Sequence, residues 1–210
     1  YADFLNRLLA VTETLVRCAR DIPRPTAYRP GRRYTEAKAE LETARSHLES
    51  AVDWLELTGV ARRTAAETLV DPAAVTFSTA VDLFERLELL VSDFRTIHQG
   101  DALLEEGWSS YLRGLDAYDR DHQFVATDEF AQAESDFLRA ERVYEEGQSD
   151  AAEEVSALFD ARRCQSRRYA TAAERMQPAV LLEENSPEKA DEYVSEARDL
   201  YNNADEACNS

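Results

Sequence analysis

Residues 77–94 read FSTAVDLFERLELLVSDF. This spacing of apolar residues, every three or four positions, places them along one face of an α-helix, whereas a strand would require strict alternation. Asp71 followed by Pro72 is typical of a helix start, and Gly100 is typical of a helix end. The pattern therefore predicts a helix over 72–98. Its apolar stripe consists of Phe77, Ala80, Phe84, Leu87, Val91 and Phe94.

The same helical spacing continues on both sides of this stretch, and no segment alternates as a strand does. We predict an all-α protein of about seven helices, packed as antiparallel hairpins in a helical-repeat-like array or a bundle. It forms a single domain over 1–210, or two sub-parts over 1–100 and 101–210. A coiled coil is disfavoured because each stripe lasts about three heptads and is broken by Gly or Pro. The helices are expected at 2–21, 34–58, 72–98, 101–120, 127–147, 150–182 and 187–207, with a short one near 60–70.

Specific residues mark the ends of the later helices. Thr127 is expected to cap the helix that follows it, and Asp150 with Glu153 forms an acidic version of a capping box. Ser186 before Pro187 predicts the start of the last helix. Pro178 is expected to kink or split the helix over 150–182.

The charge composition excludes several classes of partner. The chain has 42 acidic residues against 24 basic ones, for a net charge of −18, and this excess argues against nucleic acid as a partner. The longest apolar stretch without charge, 72–81, is too short to span a membrane. The basic residues are arginines except for Lys38 and Lys189. This acid-rich, lysine-poor composition resembles that of proteins from extremely halophilic archaea, which implies stability in molar salt.

Charge is also uneven along the chain. Residues 1–33 contain seven arginines and three acidic residues. We expect this basic segment to dock on the acidic remainder. A membrane-surface or anionic-ligand role is the alternative.

Three predicted helices share a motif in which two alanines alternate with larger apolar residues, Ala-x3-apolar-x2-Ala-x3-Leu/Tyr. This motif resembles the second helix of a tetratricopeptide hairpin, where small residues allow close helix packing. Before the second copy, Tyr111-x2-Gly114-Leu115-x2-Tyr118 resembles the first helix of such a hairpin. The resemblance implies a groove between hairpins that binds a peptide or another protein. The copies are Ala37/Leu41/Ala44/Leu48, Ala133/Phe137/Ala140/Tyr144 and Ala190/Val194/Ala197/Tyr201.

Arginines and aromatic residues provide the candidate ligand-binding residues. Four arginines close in sequence are expected to form a band that either bridges to acids of neighbouring helices, such as Glu192, Glu196 and Asp199, or binds an anion or acidic peptide. Aromatic residues at helical spacing line either a groove or the core. The candidates are Arg162, Arg163, Arg167 and Arg168, with Trp54, Trp108, Tyr111 and Tyr118.

Catalytic and metal-binding patterns are weak. His98 extends an apolar stripe, which is typical of a partly buried helix-end residue. Asp119 and His122 have the spacing of one helical face, but a di-iron bundle needs a second such pair. We therefore predict no metal site, no cofactor and a non-enzymatic interaction module of a halophile. The alternatives are a helical-bundle sensor or enzyme with a site in its core, and a structural subunit of a surface assembly.

Two of the three cysteines are predicted to meet. If the last two helices form a hairpin turning near Asn185, Cys164 and Cys208 lie at nearly the same level. A disulfide between them leaves Cys18 free and indicates a cell-surface or secreted location. The alternative is two small buried thiols.

Overall fold

The structure, a computed structural model, describes residues 77–208. This part of the chain is helical and contains no strand, which confirms the all-α class. Several predictions lie outside the described residues: the helices over 2–21, 34–58 and 60–70, the helix start at Asp71-Pro72, and Trp54. The described residues form five helices: α1 (Phe77–Asp119), α2 (Gln123–Gln148), α3 (Glu153–Leu182), α4 (Pro187–Asn202) and α5 (Ala204–Cys208).

Neighbouring helices pack against each other in chain order. α1 packs on α2, α2 on α3, and α3 on α4, while α3 also contacts α1 and the short α5. Turns of a few residues join the long helices, so successive helices run antiparallel. The predicted hairpin near Asn185 is present: α3 ends at Leu182 and α4 begins at Pro187.

Four aromatic rings join the four long helices at one level of the core. The ring of Trp108 (α1) has its centroid 5.2 Å from that of Phe137 (α2), 4.4 Å from Tyr169 (α3) and 4.5 Å from Tyr201 (α4). All four side chains are buried. Pairs of aromatic rings at such distances stabilise beyond the area that they bury. We call these four residues the aromatic layer.

The aromatic layer is one of several that recur every seven residues. The residues seven positions before and after the members of the aromatic layer form the neighbouring layers. They are Asp101 and Leu115 on α1, Tyr144 and Phe130 on α2, Arg162 and Met176 on α3, and Val194 on α4. Asp101 contacts both Tyr144 and Arg162, so the three residues form a polar layer on one side. Leu115, Met176 and Val194 lie together on the other side. The core thus repeats every seven residues, as in packed helices. The sequence analysis had disfavoured a coiled coil because each apolar stripe is short.

The expected helix end at Gly100 is wrong, because α1 continues through it to Asp119. Gly100, Gly107 and Gly114 face the rings of Tyr144, Phe137 and Phe130 on α2. A Cβ atom at Gly107 would lie 2.7 Å from the ring of Phe137, and one at Gly114 would lie 2.8 Å from that of Phe130. Each glycine therefore allows an aromatic ring to approach the backbone of α1, and none of them ends the helix.

Two predicted caps differ from the structure. α2 begins at Gln123, and Thr127 lies within it, where its hydroxyl donates to the Gln123 carbonyl at 2.9 Å. The start of α3 is capped from α1: the carboxylate of Asp93 accepts a hydrogen bond of 2.9 Å from the backbone N–H of Ala152. The N-cap residue is thus Ala152 and not Asp150, and the acceptor for its N–H comes from another helix.

Two other features of the last helices also differ from expectation. α3 runs from Glu153 to Leu182 without interruption, so Pro178 does not split it. The helix predicted over 187–207 is divided at Asn203 into α4 and α5. α5 is joined to α3 by a disulfide between Cys164 and Cys208, whose Cα atoms are 5.7 Å apart.

Candidate functional site

A pocket of about 240 Å³ lies between α1, α3 and α4. Pockets for drug-sized ligands span about 300–1,000 Å³, so this one suits a single aromatic or aliphatic group. Most of its lining is apolar or aromatic, and Arg198 is its one charged residue. The lining residues are Tyr111, Leu115, Met176, Val194, Arg198, Tyr201 and Asn202.

The pocket results from a change in side-chain size between two core layers. In the aromatic layer, Tyr201 reaches across to α1, where its ring stacks on Tyr111 at 5.5 Å with 19° between the planes. In the next core layer, seven residues away along each helix, the residues at the same positions are Leu115, Met176 and Val194. These shorter side chains leave space between α1 and α4, and the stacked Tyr111 and Tyr201 rings form an aromatic wall beside it.

Arg198 brings a positive charge to this pocket. Its side chain is exposed, and its neighbours one turn away on α4 (Val194, Ser195, Tyr201 and Asn202) are all uncharged. Within residues 77–208, Arg198 forms no ion pair with a carboxylate. Burial raises the pKa of the Tyr111 hydroxyl, and the positive charge of Arg198 opposes that rise. Arg198 therefore contributes the one charged side chain of the pocket lining.

The four arginines predicted as a band do not share one exposed surface. Arg162 is fully buried, with its Nε atom 3.1 Å from the carboxylate of Asp101. The Nη2 atom of Arg163 lies 3.5 Å from the Oδ1 atom of Asp160 on the same helix. The Nη1 atom of Arg167 lies 3.3 Å from the Oε2 atom of Glu141 on α2. Arg168 is half-buried.

The expected acidic partners of these arginines are also different. Of the three acids on α4 that were expected to bridge to them, Glu196 pairs with Arg175 instead, at 3.3 Å.

The structure places the three aromatic candidates that it describes in different environments. Trp108 lies in the core at the aromatic layer, and Tyr111 lines the pocket. The pKa of Tyr118 is raised first by burial and then by the negative charge of Glu183. Burial and the charge of Asp121 raise the pKa of Glu183. Only Tyr111 of the three contributes to the pocket.

The polar layer is a feature that the sequence analysis missed. Asp101 and Arg162 have no exposed side-chain surface, and the Tyr144 hydroxyl donates to Asp101 at 2.7 Å. Arg162 also donates to the amide oxygen of Gln165 at 3.2 Å. The sequence did contain a signal for this layer: Asp101 lies seven residues before Trp108, and Arg162 lies seven residues before Tyr169. Buried charges of this kind are held by their partners and specify how helices pair.

The histidines of the described part do not form a site. His98 is buried on α1, whereas Asp119 and His122 are exposed at the turn between α1 and α2. Across residues 77–208, no three histidine, cysteine or acidic side chains are grouped so that they could hold a metal ion. The pocket lining offers apolar contact, aromatic contact and one cation.

No helix in the described range 77–208 combines the length and apolar character needed to cross a membrane. Comparison of the chain with family models, curated proteins and solved structures finds no match.

Proposed function

We propose that this protein is an interaction module that binds a segment of another protein in the pocket between α1, α3 and α4. The segment contributes one apolar side chain, which fills the pocket, and an adjacent carboxylate, which pairs with Arg198. The observation that carries the proposal is the pocket itself, a cavity lined by uncharged residues and by one exposed arginine that lacks a carboxylate partner among residues 77–208.

Apolar contact provides the first part of the binding energy. Tyr111 and Tyr201 offer stacked rings, and Leu115, Met176 and Val194 complete an apolar lining. Burial of apolar area contributes roughly 25 cal/mol per Å². An aromatic group also gains from contact with other rings.

Arg198 provides the preference for a carboxylate. A guanidinium group matches a carboxylate with two parallel hydrogen bonds, and charge-assisted bonds are stronger than neutral ones. The net charge of −18 repels anions at long range in dilute buffer. Molar salt screens this repulsion to about 3 Å and leaves direct contacts in place. The proposed pairing therefore fits a protein that works in high salt, as the composition suggests.

The location of the pocket supports the tetratricopeptide-like part of the proposal. α1 belongs to the first hairpin of the described residues, while α3 and α4 form the second. The pocket thus lies where the resemblance expects a groove between hairpins. The disulfide between Cys164 and Cys208 supports an oxidising location, such as the cell surface or the exterior.

The test uses a pair of probes that differ only in charge: 2-naphthoate and its neutral analogue 2-naphthamide. Binding is measured by calorimetric titration in molar KCl, on the wild type and on Arg198→Gln. We expect the wild type to prefer naphthoate, and Arg198→Gln to weaken naphthoate binding about tenfold, as loss of a charge-assisted hydrogen bond implies. Arg142→Gln, which removes an exposed arginine on α2, should bind like the wild type.

A second variant tests the apolar part of the site. Val194→Trp should fill the pocket and weaken the binding of both probes. Equal binding of the two probes would overturn the carboxylate preference. Failure of both probes to bind the wild type, or normal binding to Val194→Trp, would overturn the pocket as the site.

A further inference from the structure

One wall of the pocket belongs to a lightly anchored helix. Val194, Arg198, Tyr201 and Asn202 all lie on α4. The buried residues of α4 are Ala190, Ala197 and Tyr201, and two of these are only alanines. α3, by contrast, has thirteen buried residues, including Phe159, Tyr169 and Met176. Elements with few buried apolar contacts open at low free-energy cost, so α4 needs additional support.

The disulfide supplies support at the far end of α4. α5 follows α4 after Asn203. The backbone N–H of Asn203 donates to the Asp199 carbonyl of α4 at 3.1 Å, and its carbonyl accepts from the backbone N–H of Ala207 in α5 at 3.0 Å. Cys208 at the end of α5 is bonded to Cys164 on α3, 44 residues earlier in the chain. The loop closed by this bond contains all of α4. The covalent link thus restrains the wall of the pocket against α3.

We propose that the Cys164–Cys208 disulfide controls the pocket, so that the oxidised protein binds and the reduced protein loses the α4 wall. This inference rests on the proposed function, because it concerns the same pocket. With the bond intact, Tyr201 stays stacked on Tyr111 and Arg198 stays at the pocket. With the bond broken, α4 and α5 are held by their few buried residues, and a ligand has to order them again when it binds.

The chemical step is a thiol–disulfide exchange with a dithiol reductant. One thiolate of the reductant attacks a sulfur of the Cys164–Cys208 bond, which forms a mixed disulfide and releases the other cysteine as a thiolate that takes up a proton. The second thiol of the reductant then displaces the remaining cysteine. Two electrons pass to the protein, and the reductant becomes a disulfide. Both cysteines are partly exposed, so a reductant can reach them.

The control is reciprocal by thermodynamic linkage. If reduction weakens binding by a given factor, ligand binding makes the disulfide harder to reduce by the same factor. The loss of ligand affinity on reduction and the shift of the reduction equilibrium on ligand binding therefore measure the same coupling free energy.

The first experiment compares 2-naphthoate binding to the oxidised and the dithiothreitol-reduced protein. Thiol counting with a maleimide under denaturing conditions verifies each state: one reactive thiol when oxidised and three when reduced. We expect reduction to weaken binding about tenfold or more, and saturating naphthoate to shift the reduction equilibrium by the same factor. Cys18→Ser is the matched control and should keep the full difference, whereas Cys164→Ser/Cys208→Ser should bind like the reduced protein.

The second experiment needs no ligand. Amide hydrogen exchange is followed for α1 to α4 in both redox states. Faster exchange in α4 with unchanged exchange in α1 and α2 is the expected result. Unchanged exchange in α4, or unfolding of the whole protein on reduction, would overturn the proposal. If both redox states bind naphthoate equally while Arg198→Gln does not, the disulfide control fails and the proposed function stands. If the oxidised protein does not bind at all, the proposed function fails, and exchange alone decides whether α4 is released.

Discussion

The guanidinium of Arg162 lies 3.1 Å from the carboxylate of Asp101 at a position where neither side chain has any exposed surface. The Tyr144 hydroxyl donates to the same carboxylate, so the pair joins α1, α2 and α3. Removal of two charges from water is costly, and such a pair is maintained only while both partners are present.

We expect Arg162→Met to destabilise the protein by about 3–5 kcal/mol, because it leaves the Asp101 charge buried without its cation. The double variant Asp101→Leu/Arg162→Met should recover much of that loss, because no charge remains. The measurement is denaturant unfolding at constant salt. Arg167→Met is the control, since it breaks an exposed pair with Glu141 and should cost about 0–1 kcal/mol. A cost for Arg162→Met no larger than that of the control would contradict the structure.

Gly107→Ala should destabilise the protein, although alanine is favoured over glycine in a helix by about 1 kcal/mol. The added methyl group would meet the ring of Phe137 at 2.7 Å, and overpacking of this kind costs about 1–3 kcal/mol. Phe137→Leu should be less harmful in the Gly107→Ala background than in the wild type, because the smaller side chain makes room. The readout is a double-mutant cycle of unfolding free energies, and additive effects of the two changes would argue against the contact.

Stability should fall with rising pH because of Asp93. Burial raises the pKa of its carboxyl above the ordinary value of 3.8, and the negative charge of Glu154 adds to this, while the hydrogen bond from Ala152 opposes it. Between the ordinary and the raised pKa, the folded protein holds a proton that the unfolded chain has lost. The free energy of unfolding therefore decreases as pH rises through that window.

Asp93→Asn keeps an oxygen that can accept from Ala152 and removes the charge. The difference in unfolding free energy between the wild type and this variant should change across the same window. Asp128→Asn, at an exposed position, serves as the control for the loss of one negative charge. A wild-type minus Asp93→Asn difference that does not change with pH would contradict the raised pKa.

The melting temperature should rise as KCl increases from dilute to molar. The net charge of −18 repels itself in dilute buffer, and salt screens that repulsion. Glu184→Gln removes one of the negative charges that raise the pKa of Glu183, so it should stabilise the protein in dilute buffer and have little effect in molar KCl. A melting temperature that is constant or falls with salt would exclude the halophilic interpretation.

The helical fold could be predicted from apolar spacing alone, because that spacing depends on local sequence. The α3–α4 turn could also be predicted, since Ser186 and Pro187 mark it. The continuity of α1 could not, because Gly100 has the same local signature whether it ends a helix or receives the ring of Tyr144. Only the partner helix distinguishes the two cases.

The candidate site shows the same limit. Tyr111 was among the predicted binding residues, but Arg198 was not, because its importance depends on which residues of α1 and α3 lie opposite it. Arg162 belonged to a dense run of arginines in the sequence. Its burial follows from its heptad position relative to Tyr169, and the sequence analysis did not use that relation.

The glycines and rings that join α1 to α2 form a repeating pattern, and a repeating pattern can be shifted by one repeat. If α2 slid by seven residues, Phe137 would meet Gly100 and Phe130 would meet Gly107, so two of the three ring–glycine contacts would be re-formed. Asp101, however, would then lie beside a phenylalanine ring and lose the hydroxyl of Tyr144. Since a buried carboxylate without its partners is costly, the polar layer makes one alignment of the two helices much more stable than its shifted copies. A helix pair aligned one repeat out of place is therefore less stable than the native pair, and equilibrium favours the native alignment.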